Sequence, residues 1–94
     1  MLVKIQNKNI LITGATGGIG RAIVKSFDAD NNKLLIIGTN VNKLNGLSQE
    51  LRSSTKYLAC DLNDYRNVKK IVAKINEELE NKIDILINLS LIHI

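Results

Sequence analysis

Four short apolar runs punctuate the chain, and helical patterns fill the gaps between them. Asn9–Thr13 (NILIT), Lys33–Gly38 (KLLIIG), Lys56–Cys60 (KYLAC) and Asp84–Asn88 (DILIN) read as strands. Each is continuously apolar rather than alternating, as parallel strands covered on both faces are. After the first, Ile19, Ala22, Ile23, Ser26 and Phe27 mark one stripe of a helix. Leu44, Leu47 and Leu51 mark a second, weakened by Gly46 inside it. Val68, Ile71, Val72, Ile75 and Leu79 give the clearest amphipathic pattern. The polar stretch Asp28–Asn32 (DADNN) predicts a turn whose asparagines can take the left-handed cap in place of glycine. The order β-α-β-α-β-α-β predicts an α/β fold: a parallel sheet with helices on both faces, joined by right-handed crossovers. No repeat or low-complexity linker interrupts it.

A chain of 94 residues makes one domain at most. It buries only about 60–65% of the surface its unfolded form exposes, so its core is thin. With 45% hydrophobic and 23% charged residues the composition is that of an ordinary globular protein. The net charge is +4, and the 13 lysines and arginines are scattered, with only Lys69 and Lys70 adjacent. That scatter argues against a dedicated nucleic-acid surface, which needs a clustered stripe. A lysine-rich solvated surface is the simpler reading, and a mild attraction for phosphates or an acidic partner stays open. Cys60 is the only cysteine, which excludes an internal disulfide or a thiolate metal cluster and suits a small buried thiol. His93 has no partner in sight. The first 13 residues lack the apolar stretch of a signal peptide, and no run approaches ~18 apolar residues. A cytoplasmic protein with no membrane partner is expected.

The chemistry concentrates in Leu11–Gly20, LITGATGGIG. Thr13-Gly14 closes the first strand, and Gly18-Ile19-Gly20 opens the first helix. A helix N-terminus presents unpaired N–H groups and a partial positive charge, which suits a phosphate. Gly14 permits the sharp turn, Gly18 a close approach of a pyrophosphate, and Gly20 close packing of helix on strand. The strand before and the helix after set this apart from a turn that is merely glycine-rich. Ile23 stands where the third glycine of G-x-G-x-x-G belongs, and no Gly-Lys-Ser/Thr follows. What is present is T-G-x-x-x-G-x-G.

That spacing resembles the short-chain dehydrogenase/reductase family. ILITGATGGIGRAIV is similar to its cofactor loop and first helix, and IIGTNVNKL to the end of its second strand. CDLND resembles the Asp-Leu/Val pair after its third strand, and IDILIN the approach to its Asn-Asn-Ala-Gly motif. Four landmarks in order are more specific than any one of them. The resemblance implies a Rossmann-type, incomplete sheet of strand order 3-2-1-4, with residues 1–88 a partial NAD(P)-binding domain. It implies a cofactor-binding set of Thr13, Gly14, Thr16, Gly18, Ile19, Gly20, Thr39, Asn40, Asp61, Leu62 and Asn88. Asp61 would accept from the adenine amino group, and Asn88 would shape the strand end.

Members using NAD carry an acidic residue at the end of the second strand. Gly38 stands there, followed by Thr39, so nothing repels a 2′-phosphate. NADP is favoured and NAD stays open, because Gly17 and Thr39 replace the basic residues often seen in NADP users. Thr39 and Asn40 can still hydrogen-bond a phosphate.

The family's catalysis uses a Tyr-x-x-x-Lys pair with an upstream serine, the tyrosine donating a proton as hydride arrives. Tyr65–Lys69 (YRNVK) fits that spacing but lies on the adenine side with no positioned serine before it, and positions i and i+4 share a helix face as a matter of course. No catalytic residue is assigned. After Asn88 the family's Asn-Ala-Gly is replaced by Leu89-Ser90-Leu91, so residues 89–94 read as an atypical apolar tail. This points to a frameshifted, decayed or misread gene, with Ala-Gly and the catalytic residues encoded in a downstream frame. The fourth strand would then offer an open apolar edge, and marginal stability and self-association are expected. The leading expectation is the NADP(H)-binding half of a reductase. The flavour is closest to 3-oxoacyl-[acyl-carrier-protein] reductases of fatty-acid synthesis, with the carrier protein a partner of the full-length parent. A non-catalytic nucleotide-binding module and a remnant with no ligand are the alternatives.

Overall fold

A computed structural model of the protein describes residues 5–14, 17–28, 31–52 and 54–89. Strands β1 (Asn9–Thr13), β2 (Lys33–Gly38), β3 (Ser54–Ala59) and β4 (Ile85–Asn88) form one sheet in the order β3-β2-β1-β4. All three pairings are parallel. Helices α1 (Gly18–Ser26), α2 (Val41–Glu50) and α3 (Val68–Leu79) connect the strands, the last preceded by a 3-10 turn, Tyr65–Asn67.

The pleat sorts the apolar runs onto two faces. Ile10, Ile12, Leu34 and Ile36 pack with Val24 of α1 and Leu44 and Leu47 of α2. Leu11, Leu35 and Ile37 point the other way, onto Leu79 with Ile71 and Ile75 of α3 beside it. Two helices thus cover one face and one covers the other, the Rossmann-type arrangement expected. The buried members of these two clusters are at most 5% exposed. Each such burial contributes roughly 1.5–3 kcal/mol before chain entropy is counted.

Several expectations need correction. Full two-sided burial holds for β1 and β2 only; β3 and β4 are edge strands and are largely half-exposed or exposed. The third strand starts earlier than Lys56 and ends one residue before Cys60, and the fourth starts at Ile85 rather than Asp84. On α1 the buried residues are Gly20 and Val24; of the expected stripe Ile19, Ala22, Ile23, Ser26 and Phe27, only Phe27 packs against the core, and Ile19, Ala22 and Ser26 are exposed. Ile23 is half-buried, whereas Ile19 is 77% exposed. The helix turns Gly20 and Val24 inward, and Val24 packs against the sheet's core residues. On α3 only Ile71, Ile75 and Leu79 turn inward; Val68 and Val72 are exposed, since a single helix has no neighbour to cover its flank. Cys60 is half-buried rather than buried, and its desolvation pushes the thiol pKa up against the pull of Lys70.

The sheet's opposite, N-terminal edge is held by side-chain amides. Asn32 is wholly buried: its Oδ1 accepts from the Lys8 N–H at 3.0 Å, and its Nδ2 donates to the carbonyls of Ile5 and Phe27 at 3.2 and 3.0 Å. Asn9 donates to the Leu79 and Lys82 carbonyls at 2.9 and 3.0 Å, satisfying the end of α3. The Asp84 carboxylate accepts the Asn9 N–H at 2.8 Å, and that bond holds its pKa below the usual range. Asn31 is left-handed, φ 65°, as the turn reading of the polar stretch allows, but it sits two residues before β2 rather than at the end of α1.

Candidate functional site

Register brings the carboxyl ends of the strands together. Thr13 lies opposite Ile37 on one side and Asn88 on the other, and Gly38 lies opposite Ala59. The chain leaves β1 toward β2, whereas β4 is reached from β3 on the far side, so the order reverses between β1 and β4. A crevice outside the carboxyl ends at such a reversal is where open α/β sheets take ligands.

The floor of the crevice is built by β1 and its neighbours. Thr13 is buried, and its hydroxyl donates to Asn88 Oδ1 at 2.8 Å, joining the ends of β1 and β4. Gly14 has φ 73°, a conformation that only glycine adopts without strain, and its N–H donates to the Ile37 carbonyl at 2.8 Å. The chain therefore turns up and away from the sheet there. Thr16 lies outside the described residues. Gly17 is the extended N-cap of α1, which has no side-chain cap and no acidic residue in its first turn. The first N–H groups of α1 thus keep their partial positive charge unopposed by a side chain.

Gly17 and Gly18 differ from Gly14. Neither has the left-handed backbone, and a Cβ built on either meets no atom within 4 Å. The fold itself does not demand glycine at these two places. Their bareness leaves a backbone cradle open at the N-terminus of α1, which is what a diphosphate needs to reach the amides. The residues present therefore fit a dinucleotide. Gly20 is buried on the sheet side, and Ile19 stands exposed beside the cradle.

The other expected residues ring the same edge. Thr39 is exposed just past the end of β2. Asn40 is the N-cap of α2, its Oδ1 accepting from the Lys43 N–H at 3.1 Å, so that oxygen is committed to the helix. Asp61 is exposed, one carboxylate oxygen accepting from the Asn63 N–H at 2.9 Å, and Leu62 beside it is 37% exposed. The Asp61 carbonyl accepts from Asn67 Nδ2 at 2.8 Å, which fixes the loop into the 3-10 turn. Leu89 donates its N–H to the Thr13 carbonyl at 2.8 Å and packs on the core, so the ladder continues one residue past Asn88. His93 and residues 90–94 lie outside the described residues.

Tyr65 is 83% exposed and opens the 3-10 turn ahead of α3, its carbonyl accepting from the Val68 N–H. No group of three metal-ligating side chains occurs among the described residues, and no helix among them is long and apolar enough to cross a membrane. Sequence reasoning missed the Thr13–Asn88 pair and the Asn40 cap. The first could have been found from register, since both residues end strands that must be neighbours in the order 3-2-1-4.

The short chain dehydrogenase family model matches residues 8–90. Among curated relatives, the 3-oxoacyl-[acyl-carrier-protein] reductase of Rickettsia bellii is 31% identical over 86 residues, which covers 92% of this chain and 34% of the relative. Among solved structures, a short-chain dehydrogenase/reductase of Brucella melitensis superposes with a TM-score of 0.79 at 30% identity, over 92% of this chain and 36% of that one. The L-sorbose reductase of Gluconobacter frateurii shares the fold, with a TM-score of 0.79 at 24% identity over 94% of this chain and 35% of its own. The chain spans about a third of the length of these relatives. With the strand order, the glycine cradle and the family match in agreement, the chain belongs to the short chain dehydrogenase family, oxidoreductases that bind a nicotinamide dinucleotide.

Proposed function

We propose that this chain is the cofactor-binding half of a reductase, takes NADP(H) in preference to NAD(H), and transfers no hydride by itself. The observation that carries the reading is the Gly17-Gly18 cradle, glycine in both places without any need from the fold. The pyrophosphate would lie on Gly14 and Gly18–Gly20, with Thr13 and Thr16 lining the loop. Adenine would meet Asp61 and Leu62, and Asn88, held by Thr13, would keep the strand end in place beside the dinucleotide. A bound cofactor supplies the hydride; these residues only hold and orient it. Preference for NADP(H) is supported by the absence of a carboxylate at Gly38, Thr39 and Asn40.

For the parent activity we infer NADPH-dependent reduction of a carbonyl, a 3-oxoacyl thioester of fatty-acid synthesis, with acyl-carrier protein as partner. Identity to the Rickettsia bellii reductase supports it. The family's tyrosine and lysine have no counterpart at the matching place in these 94 residues. We infer self-association through the side of β4 away from β1, which has no strand among the described residues, and a cytoplasmic setting.

Calorimetric titration with NADPH tests the reading. Saturable binding is expected in the wild type and is lost in Gly18→Val, whose added atoms meet open space in the fold and whose circular dichroism stays unchanged. Absence of binding, or undiminished binding by Gly18→Val, would overturn it in favour of a ligand-free remnant. Consumption of NADPH with an acetoacetyl thioester would overturn the claim that the chain alone is inactive.

A further inference from the structure

We propose that Asn67 is a positioning residue for adenine: by holding the Asp61 carbonyl, it aims the Asp61 carboxylate at the adenine amino group. The inference rests on the reading above, that Asp61 meets the adenine of a bound dinucleotide.

Strand β3 ends at Ala59, and the Cys60 N–H still donates to the Gly38 carbonyl at 2.8 Å. Asp61 is the next residue, exposed and beyond the sheet's support. The loop that follows holds it instead. The Asp61 carbonyl accepts from the Asp64 N–H at 3.2 Å and from Asn67 Nδ2 at 2.8 Å. Its Oδ1 accepts from the Asn63 N–H at 2.9 Å. The carbonyl bonds fix the backbone at Asp61, and the Asn63 bond fixes the side chain upon it. Oδ2 takes no hydrogen bond from a described residue. It is the acceptor left for a donor outside the loop, and an exocyclic amino group is such a donor.

Asn67 stands directly before α3, where an asparagine usually accepts from the helix's free N–H groups. Here it makes no such bond. Asp64 caps the chain one turn earlier, accepting from the Arg66 N–H at 3.0 Å, and the Arg66 guanidinium pins that carboxylate at 2.9 and 2.8 Å. The Asn67 N–H donates to the Asp64 carbonyl at 2.9 Å. The Asn67 amide therefore stands on a braced turn, and its Nδ2 reaches back six positions to Asp61. A local preference set aside beside a binding edge is where a functional reason is expected.

Calorimetric titration of the 94-residue chain with NADP⁺ and with its hypoxanthine analogue, which lacks the 6-amino group, tests this. The wild type is expected to bind NADP⁺ about tenfold tighter than the analogue. In Asn67→Ala and in Asn67→Asp that preference falls to within about twofold, and Asn67→Ala binds the analogue within about twofold of wild type. Asn67→Asp keeps the shape, removes the donor and places a carboxylate where it favours the start of α3, so its lost preference is not lost folding. A preference kept near tenfold in either variant would overturn the proposal and leave the adenine contact of Asp61 standing. A wild type that binds the two ligands equally would overturn that contact, and one that binds neither would overturn the dinucleotide reading; the proposal falls with both.

Discussion

Asn32 shows how much one buried amide can organise. Its three hydrogen bonds tie the segment before β1 and the end of α1 to the start of β2. Asn32→Ala would leave one donor and two acceptors without their partner, so a loss of about 2–4 kcal/mol is expected in urea denaturation at neutral pH. A loss below about 0.5 kcal/mol would show that water replaces the amide there. Nothing in DADNN distinguishes Asn32 from its neighbour Asn31, because composition reports turn propensity and not which side chain turns inward. The glycines were legible in a different sense. Gly14, Gly17 and Gly18 can be picked from the sequence, but only backbone angles separate the one the turn requires from the two it does not.

At the scale of elements, the apolar runs located β1 and β2 to the residue, since both are buried on two faces and continuously apolar. The edge strands and the helix stripes were less legible. An apolar residue at helical spacing marks a helix without saying that it is covered, as Ile19, Val68 and Val72 show. The side of β4 away from β1 has no strand among the described residues, and Leu86 is 62% exposed beside it. Long apolar edges of this kind recruit other chains. Sedimentation velocity over a range of concentrations is expected to show oligomers in the wild type, shifted toward monomer in Leu86→Lys with little change in stability. A wild type that stays monomeric throughout the range would contradict the proposed self-association.

For the whole molecule, alternation of strand and helix was enough to anticipate a parallel sheet covered on both faces. The strand order came from the family resemblance carried by the glycine loop, and the observed β3-β2-β1-β4 sheet agrees with it. The candidate site was readable as a set of motifs at the carboxyl ends of strands. The Thr13–Asn88 bond that joins two of them spans 75 positions of the chain, so it follows only once the strand order sets β1 beside β4. The central claim is that the carboxyl edge of this sheet, and no other surface, holds a nicotinamide dinucleotide. Amide chemical shifts of the ¹⁵N-labelled chain, followed as NADP⁺ is added, test it most directly. Saturable changes are expected at Gly14, Gly18–Gly20, Thr39, Asp61 and Asn88, with Lys8, Asn9, Asn32 and Asp84 at the opposite edge unmoved. Changes centred on that opposite edge, or none that saturate, would contradict the account.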